Sequence, residues 1–149
     1  MQKLEFGSPE YEEALALRRR VLRDPLGIFW TPEEKAMEPG EWQFAGFDDG
    51  AVVACVSARW LEGRRVKVRQ MAVAPDRQRS GLGRAIMGAV EARLVEEGAA
   101  GFELHAREEA VGFYEKLGYT RVGGRFEEVG IPHWKMEKDP GGSRGRPED

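Results

Sequence analysis

The chain has 149 residues, of which 41% are hydrophobic. This length supports one hydrophobic core but hardly two, so we predict a single domain over residues 1–138. The formal net charge of −3 argues against a general nucleic-acid-binding protein, because such domains present a basic face to phosphates. No apolar stretch approaches the length of a membrane span, and the N-terminus lacks the pattern of a secretion signal. We therefore expect a cytoplasmic protein with no nucleic-acid or membrane partner.

The N-terminal part of the chain predicts two helices. Ser8 is a suitable N-cap and Pro9 suits the first helical position, and apolar residues at helical spacing then predict a helix over about 9–23. Thr31 and Glu34 have the spacing of a capping box, in which each side chain accepts a hydrogen bond from the other residue's backbone. A second, shorter helix is expected to begin there.

Three strands are predicted next. Residues 43–48 and 51–60 are joined by Asp-Gly, a strong hairpin signal, so these two strands should pair antiparallel. In the third strand, over 66–74, the hydrophobic alternation slips by one residue near Arg69 and Gln70. A β-bulge explains this slip, and a strand buried on both faces explains the pattern equally well.

A turn rich in glycine and arginine follows the third strand and leads into a helix. Gly81 and Gly83 let backbone N–H groups approach an anion closely, and the start of the helix adds its positive dipole end. Arg77, Arg79 and Arg84 supply positive charge around the same turn. The pattern favours phosphate binding over an ordinary strand-to-helix turn.

The order of residues in this turn excludes two common phosphate-binding motifs. A dinucleotide fingerprint needs glycine where Ile86 stands. A P-loop needs lysine and then serine or threonine after its last glycine, whereas Arg84 and Ala85 follow Gly83. The turn therefore belongs to neither class.

The remaining elements complete a mixed fold. An amphipathic helix of about 15 residues follows the turn and ends at Gly98, and a strand over 101–105 then makes a βαβ unit, in which ligands bind at the carboxyl ends of the strands. A helix over 108–117 ends at Gly118. Strands over 119–123 and 131–137 follow.

Two segments resemble the GCN5-related N-acetyltransferase (GNAT) family. Gln78-x-x-Gly81-x-Gly83 resembles its acyl-CoA pyrophosphate loop, and residues 110–119, AVGFYEKLGY, resemble its second hallmark. The resemblance runs from about 66 to 138, and residues 130–136 are similar to the last strand of a family subgroup. It implies an α/β (mixed α+β) GNAT fold, in which about four helices flank a central twisted, mostly antiparallel sheet of six to seven strands with a splayed parallel pair.

The resemblance also implies a reaction, the transfer of an acetyl group from acetyl-CoA to an amine of a small molecule or peptide. The amine attacks directly within a ternary complex, and no metal takes part. Tyr114 matches the family tyrosine that protonates the departing thiolate, although a packing role is the alternative. The residues implied to bind acetyl-CoA are Met71, Ala72 and Val73 for the pantetheine arm, and Gln78, Arg79, Ser80, Gly81, Leu82, Gly83 and Arg84 for the pyrophosphate.

Several features of the site stay open at this point. Arg107 stands where many family members carry an asparagine that contacts the cofactor. The general base is not singled out by spacing among Glu103, His105, Glu127 and His133. The two histidines are a poor metal pair, because no carboxylate or cysteine joins them at ligand spacing in the sequence. The acceptor amine is also unassigned, and the family resemblance leaves homodimer formation open.

Cys55 is the only cysteine, so no intrachain disulfide can form, and its apolar neighbours predict a core residue rather than a nucleophile. The segment 24–30 is apolar for a loop, and we expect it to pack beneath another element. Residues 139–149 lack apolar side chains and predict a loose tail. Two other functions remain alternatives: a catalytically silent acyl-CoA sensor on the same fold, or an interaction module that uses the apolar loop and the region of Trp42.

Overall fold

The computed structural model describes residues 1–23, 25, 27 and 31–140. The predictions for most of segment 24–30, and for the tail beyond residue 140, lie outside the described residues. The described part contains seven strands and four α-helices. The strands are β1 (Gln2–Leu4), β2 (Trp42–Asp48), β3 (Ala51–Trp60), β4 (Arg65–Val73), β5 (Gly101–Arg107), β6 (Thr120–Glu128) and β7 (Ile131–Lys138). The α-helices are α1 (Pro9–Arg18), α2 (Pro32–Met37), α3 (Leu82–Glu96) and α4 (Val111–Lys116).

The strands form one sheet in the order β1-β2-β3-β4-β5-β7-β6. Antiparallel pairing joins β1 to β2, β2 to β3, β5 to β7 and β6 to β7. The pairing of β4 with β5 is parallel and comprises three residue pairs, from Arg65–Gly101 to Lys67–Glu103. The mixed α/β fold class is confirmed.

The chain divides into two compact units, each of which is described by itself. The first contains residues 1–59 and 69–93, and the second contains 60–68 and the chain from Leu94 onward. The single domain predicted over 1–138 stays a prediction. None of the helices in the described part is long and apolar enough to cross a membrane.

In the first unit, α1 begins as the sequence predicts. The Ser8 hydroxyl accepts a hydrogen bond from the backbone of Tyr11 at 3.1 Å, and Pro9 occupies the first turn. The buried face of α1 packs against apolar side chains of the strands, Leu4, Ala45, Val53 and Cys55 among them. The predicted helix over 9–23 is regular only to Arg18, and Arg19–Arg23 continue as a π-helix. Hydrophobic spacing over five residues does not distinguish the two helix types.

Two local predictions in the first unit are confirmed. Thr31 and Glu34 form the capping box of α2, with hydrogen bonds of 2.9 and 3.1 Å between backbone and side chain. Asp49 and Gly50, both at positive φ, connect β2 and β3 as an antiparallel hairpin. Strand β1 was not predicted, because three residues are too few to show an alternation.

Strand β4 carries the irregularity that the sequence indicated. Gln70 has a φ of +55°, a left-handed conformation that a regular strand does not contain. A strand merely buried on both faces would not need this conformation. The structure therefore favours a local bulge at Gln70.

In the second unit, β5, β7 and β6 form an antiparallel set that buries Phe102, Leu104 and Met136. Strand β6 extends to Glu128, beyond the predicted end at 123, and its register shifts between Val122 and Phe126. Gly123 and Gly124 lie in this irregularity, where the sequence pattern predicts the end of the strand. The hairpin turn to β7 contains Val129 at a φ of +48° and Gly130 at +74°.

The predicted lengths of the two later helices differ in accuracy. Helix α3 has the expected 15 residues and is followed by Gly98 at a φ of +102°. The helix predicted over 108–117 begins as a 3-10 turn over Glu108–Ala110, and only Val111–Lys116 are α-helical. Gly118 follows it at a φ of +99°.

Candidate functional site

The turn between β4 and α3 lies in the first unit and has an unusual backbone. A 3-10 turn over Pro75–Arg77 leaves the strand, and Arg79 and Gly81 then adopt left-handed conformations, with φ of +66° and +87°. Gly81 adopts this conformation at little cost, whereas Arg79 is held in it against the preference of an L residue. Successive turns of this kind orient neighbouring N–H groups toward a common point, where an anion can bind.

The start of α3 offers donors to such an anion. The backbone of Ala85 donates to the carbonyl of Gly81 at 3.0 Å, which is the first bond of the helix. The N–H groups of Leu82, Gly83 and Arg84 precede this bond, so they have no partner within the helix. They project from the positive end of the helix dipole.

Two arginines add charge to these donors. Arg79 and Arg84 are exposed, and neither forms an ion pair with another residue in the part of the chain that the structure describes. Arg77, in contrast, is paired with Asp48 of the β2–β3 hairpin. Backbone donors at a helix start, together with nearby cations, are groups that bind phosphate in proteins.

The side chains of two other predicted ligand residues form hydrogen bonds within the turn instead. The Gln78 amide donates to the carbonyl of Val73 at 3.1 Å, and the Ser80 hydroxyl donates to the carbonyl of Arg77. Their side chains therefore already have partners inside the protein. These two side chains therefore stabilise the shape of the turn. Their backbone groups are what they can offer to a ligand.

A buried polar network lies beside β4 in the same unit. The guanidinium of Arg18, a side chain only 1% exposed, donates to Glu38 at 3.0 Å, to Gln43 at 3.1 Å and to Gln70 at 3.3 Å. It thus connects α1 to the irregular residue of β4. We call this set, together with Tyr11 and Ser57, the Arg18 network.

Two hydroxyl groups of the Arg18 network also donate to Glu38 and Gln43. The Tyr11 hydroxyl donates to Glu38 at 2.6 Å, and the Ser57 hydroxyl donates to Gln43 at 2.7 Å. Burial and the Glu38 carboxylate both raise the pKa of Tyr11, so its phenol stays a donor. Next to Gln70, Arg69 is held by Glu41 at 2.6 Å.

Sequence reasoning missed this network, although one signal was present. Arg18 follows Tyr11 by seven residues and Ala14 by four, so it lies on the face of α1 that faces the core. A charged residue at a core position indicates a buried partner. The partners, however, lie 20 or more residues away along the chain.

Cys55 is a core residue, as predicted. Burial raises the pKa of its thiol to about 11, and the sulfur lies 3.7 Å from the carbonyl of Ala14. A thiol of this kind is not ionised near neutral pH, so it is a poor nucleophile.

In the second unit, Tyr114 lies on α4 among aromatic rings. Its ring contacts Phe113 and Tyr119 edge-on, with centroid distances of 5.0 and 5.8 Å. Burial raises the pKa of the Tyr114 phenol to about 12. Its hydroxyl has no hydrogen-bond partner among the described residues.

The four candidate bases also lie in this unit, in different surroundings. Glu103 forms ion pairs with Arg65 at 3.4 Å and Lys135 at 3.8 Å, and Glu127 is exposed on β6. His105 and His133 both approach Glu128, at 2.8 and 3.9 Å.

No local pattern in the sequence points to this carboxylate, because Glu128 lies 23 residues from His105 along the chain. Among the described residues, no set of three or more His, Cys, Asp or Glu side chains is arranged to hold a metal ion. Arg107 is half-buried at the end of β5.

The comparisons with known proteins identify the family. Residues 31–140 match the model of the acetyltransferase (GNAT) domain. YyaT of Bacillus subtilis (strain 168) is 35% identical over 133 residues, which are 87% of this chain and 89% of that protein. YjcF of the same organism, named an N-acetyltransferase, is 39% identical over 85 residues, or 56% of this chain and 61% of that protein. For another Bacillus subtilis relative, described as an acetyltransferase, the matched residues span about half of that protein's length, 53%.

Solved structures agree on the fold. A Lactobacillus plantarum protein assigned as an N-acetyltransferase superimposes with a TM-score of 0.80 at 22% identity, over 89% of this chain and 92% of that one. An aminoglycoside 6′-N-acetyltransferase in complex with coenzyme A gives 0.74 at 20% identity, over 93% and 97%. The chain belongs to the GNAT acetyltransferase family, whose general activity is acetyl transfer from acetyl-CoA.

Proposed function

We propose that this protein transfers an acetyl group from acetyl-CoA to an amine, by direct attack of the amine within a ternary complex. The observation that carries the proposal is the turn before α3. It presents three N–H groups from the first turn of the helix and two arginines that form no ion pair with the residues the structure describes, and these groups suit a pyrophosphate. The match to the GNAT domain model supports the same assignment.

Each part of acetyl-CoA has a proposed partner. The backbone of Arg79, Ser80, Gly81, Leu82, Gly83 and Arg84, with Gln78 shaping the turn, binds the pyrophosphate. The strand residues Met71, Ala72 and Val73 bind the pantetheine arm as an added strand would. A backbone N–H near Val73 polarises the thioester carbonyl as negative charge develops on its oxygen.

Tyr114 is the proposed acid of the reaction. As the C–N bond forms and the C–S bond breaks, the phenol gives its proton to the departing thiolate. The absence of a protein partner for its hydroxyl within the described residues supports this role, and burial keeps the phenol protonated near neutral pH because it raises the pKa to about 12. The acceptor is an amine of a small molecule or a peptide.

Thiol release from acetyl-CoA tests the proposal directly. Purified protein is incubated with acetyl-CoA and a panel of aminoglycosides, polyamines, amino acids and peptides with free N-termini, and free thiol is measured. We expect release with at least one amine, and intersecting lines when both substrates are varied. Parallel lines would indicate an acetyl-enzyme and would contradict direct attack.

A binding titration separates the transferase from its alternatives. Saturable acetyl-CoA binding without thiol release from any amine would support the acyl-CoA sensor instead. No saturable binding at millimolar acetyl-CoA would leave the turn without its proposed ligand and would favour an interaction module.

A further inference from the structure

We propose that His105 is the base that takes the proton from the acceptor amine, and that Glu128 positions it for this step. The inference rests on the proposed acetyl transfer and deepens it, because it assigns the proton acceptor that the sequence left open. His105 lies on β5 and Glu128 on β6 of the second unit, and β7 lies between these two strands in the sheet.

His105 and Glu128 form the central contact. Nδ1 of His105 lies 2.8 Å from a carboxylate oxygen of Glu128. This hydrogen bond holds the pKa of Glu128 below its usual range, so the carboxylate is ionised near neutral pH and can only accept. Nδ1 of His105 therefore carries the hydrogen, and Nε2 carries the lone pair of the neutral imidazole.

The free nitrogen of His105 has access to a substrate. Nε2 forms no hydrogen bond with another described residue, and 25% of the side chain is exposed. When Nε2 takes up a proton, the adjacent carboxylate stabilises the positive imidazolium. A histidine oriented by a carboxylate in this way is a common arrangement of a general base.

His133 has a different environment, which makes it a weaker candidate for the base. It is only 4% exposed, and its Nδ1 donates to the carbonyl of Ile131 at 2.8 Å. In this neutral tautomer Nε2 carries no hydrogen, so it donates no bond to Glu128, whose second carboxylate oxygen lies 3.9 Å from it. Phe126 packs against both imidazoles, edge-on to His105 at 5.0 Å and stacked on His133 at 5.9 Å.

Glu128 is held at the end of a tight hairpin. It pairs with Ile131 across a two-residue turn, in which Val129 and Gly130 have φ of +48° and +74°. Positive φ at both central residues is the usual geometry of such a turn. The backbone on both sides of the turn is therefore fixed by strand pairing.

Two lysines also lie near the pair. Lys67 of β4 contributes to the lowered pKa of Glu128, and Lys135 of β7 lies opposite His105 in the strand register. Lys135 also pairs with Glu103 and Glu137, at 3.8 and 3.6 Å. Because Glu103 is already paired with two cations, it is a weaker candidate for the base.

The proposed step balances in protons. The ammonium group of the substrate gives one proton to Nε2 of His105, which later releases it to water. The neutral nitrogen then forms a bond to the thioester carbon while the C–S bond breaks. Tyr114 protonates the thiolate, and the surplus proton on the new amide nitrogen passes to water, from which Tyr114 is reprotonated.

The kinetic test replaces His105 by glutamine. At pH 7 we expect kcat/KM for the amine to fall about 100-fold, while the affinity for acetyl-CoA and the melting temperature stay unchanged. At alkaline pH, where the free amine is already present, activity of His105→Gln should approach that of the unmodified protein. Unchanged activity at pH 7 in a folded variant would overturn the assignment.

Glu128→Gln tests the positioning role, with Glu127→Gln as a matched control on the same strand. Loss of the carboxylate removes the stabilisation of the imidazolium that forms when the amine is deprotonated, so at pH 7 kcat should fall while the KM for acetyl-CoA stays unchanged. The variant of the exposed Glu127 should keep the kcat and KM of the unmodified protein. Equal kcat values for Glu128→Gln and this control would contradict the role of Glu128.

Nuclear magnetic resonance of the imidazole nitrogens distinguishes this inference from the proposed function. The chain has two histidines, so one variant assigns both. We expect His105 to be protonated at Nδ1 in its neutral form. If no amine is acetylated, the transferase and the base role both fail, whereas the opposite tautomer in an active enzyme overturns the base role alone.

Discussion

At the scale of single residues, two backbone conformations shape the turn before α3. Arg79 and Gly81 both have positive φ, but only glycine tolerates it without a steric penalty. A Cβ added at Gly81 would meet no atom within 4 Å, so the requirement for glycine there comes from the backbone and not from packing.

Gly81→Ala should therefore lower the free energy of unfolding by about 1 kcal/mol and weaken acetyl-CoA binding. Gly88→Ala is the matched control, because Gly88 lies inside α3 and also has open space around it. It should stabilise the protein by about 0.5–1 kcal/mol and leave binding unchanged. Denaturant titrations and acetyl-CoA titrations of both variants check this; equal effects on binding would contradict it.

Tyr114→Phe is expected to lower kcat about 100-fold with little change in the KM for acetyl-CoA. The phenol's pKa of about 12 keeps the proton on Tyr114 throughout the pH range of ordinary assays, so the unmodified enzyme should show no alkaline loss from this group there. Steady-state kinetics across pH measure both effects. Unchanged turnover at saturating substrate would assign Tyr114 to packing alone.

At the scale of elements, the Arg18 network connects helix α1 with the bulge of β4. Replacement of one member of a buried ion pair leaves the other charged and without compensation. The exposed pairs on the surface, such as Arg121 with Glu115 at 3.7 Å, carry no such penalty.

Arg18→Met should thus lower the free energy of unfolding by about 3–5 kcal/mol. Because Arg18 also contacts Gln70, the variant should raise the KM for acetyl-CoA, which binds along the following residues of β4 in our proposal. Glu115→Gln is the surface control, with an expected change within about 1 kcal/mol. A change no larger for Arg18→Met than for this control would show that the buried network contributes little.

At the scale of the whole molecule, acetyl-CoA binding should stabilise the native state by mass action. A ligand at about 100 times its Kd adds about 2.7 kcal/mol to the free energy of unfolding if it binds only the folded chain. The net charge of −3 does not assist an anionic ligand, so the local arginines are expected to supply the attraction.

Acetyl-pantetheine, which lacks the pyrophosphate, provides the comparison. Acetyl-CoA binding should weaken with rising ionic strength and in Arg79→Gln and Arg84→Gln, whereas acetyl-pantetheine should respond to neither. Calorimetric titrations at two salt concentrations measure this. An equal salt dependence for the two ligands would exclude the turn as the pyrophosphate site.

The sequence by itself determined the features that depend on neighbouring residues. The cap at Ser8, the capping box of Thr31 and Glu34, the turn at Asp49 and Gly50, and the length of α3 each depend on hydrogen bonds or periodicity within a few positions. Short motifs also carried the family resemblance, because the phosphate turn and the segment around Tyr114 are each continuous in the chain.

Only the tertiary structure decided which distant side chains meet. Arg18 and Gln70 are 52 positions apart and His105 and Glu128 are 23 apart, so no local pattern links them. The same limit explains β6, where Gly123 and Gly124 end a strand by local preference, yet pairing with β7 carries it on to Glu128. Burial and cross-strand contacts set the protonation states and positions of these groups, and both depend on the folded chain.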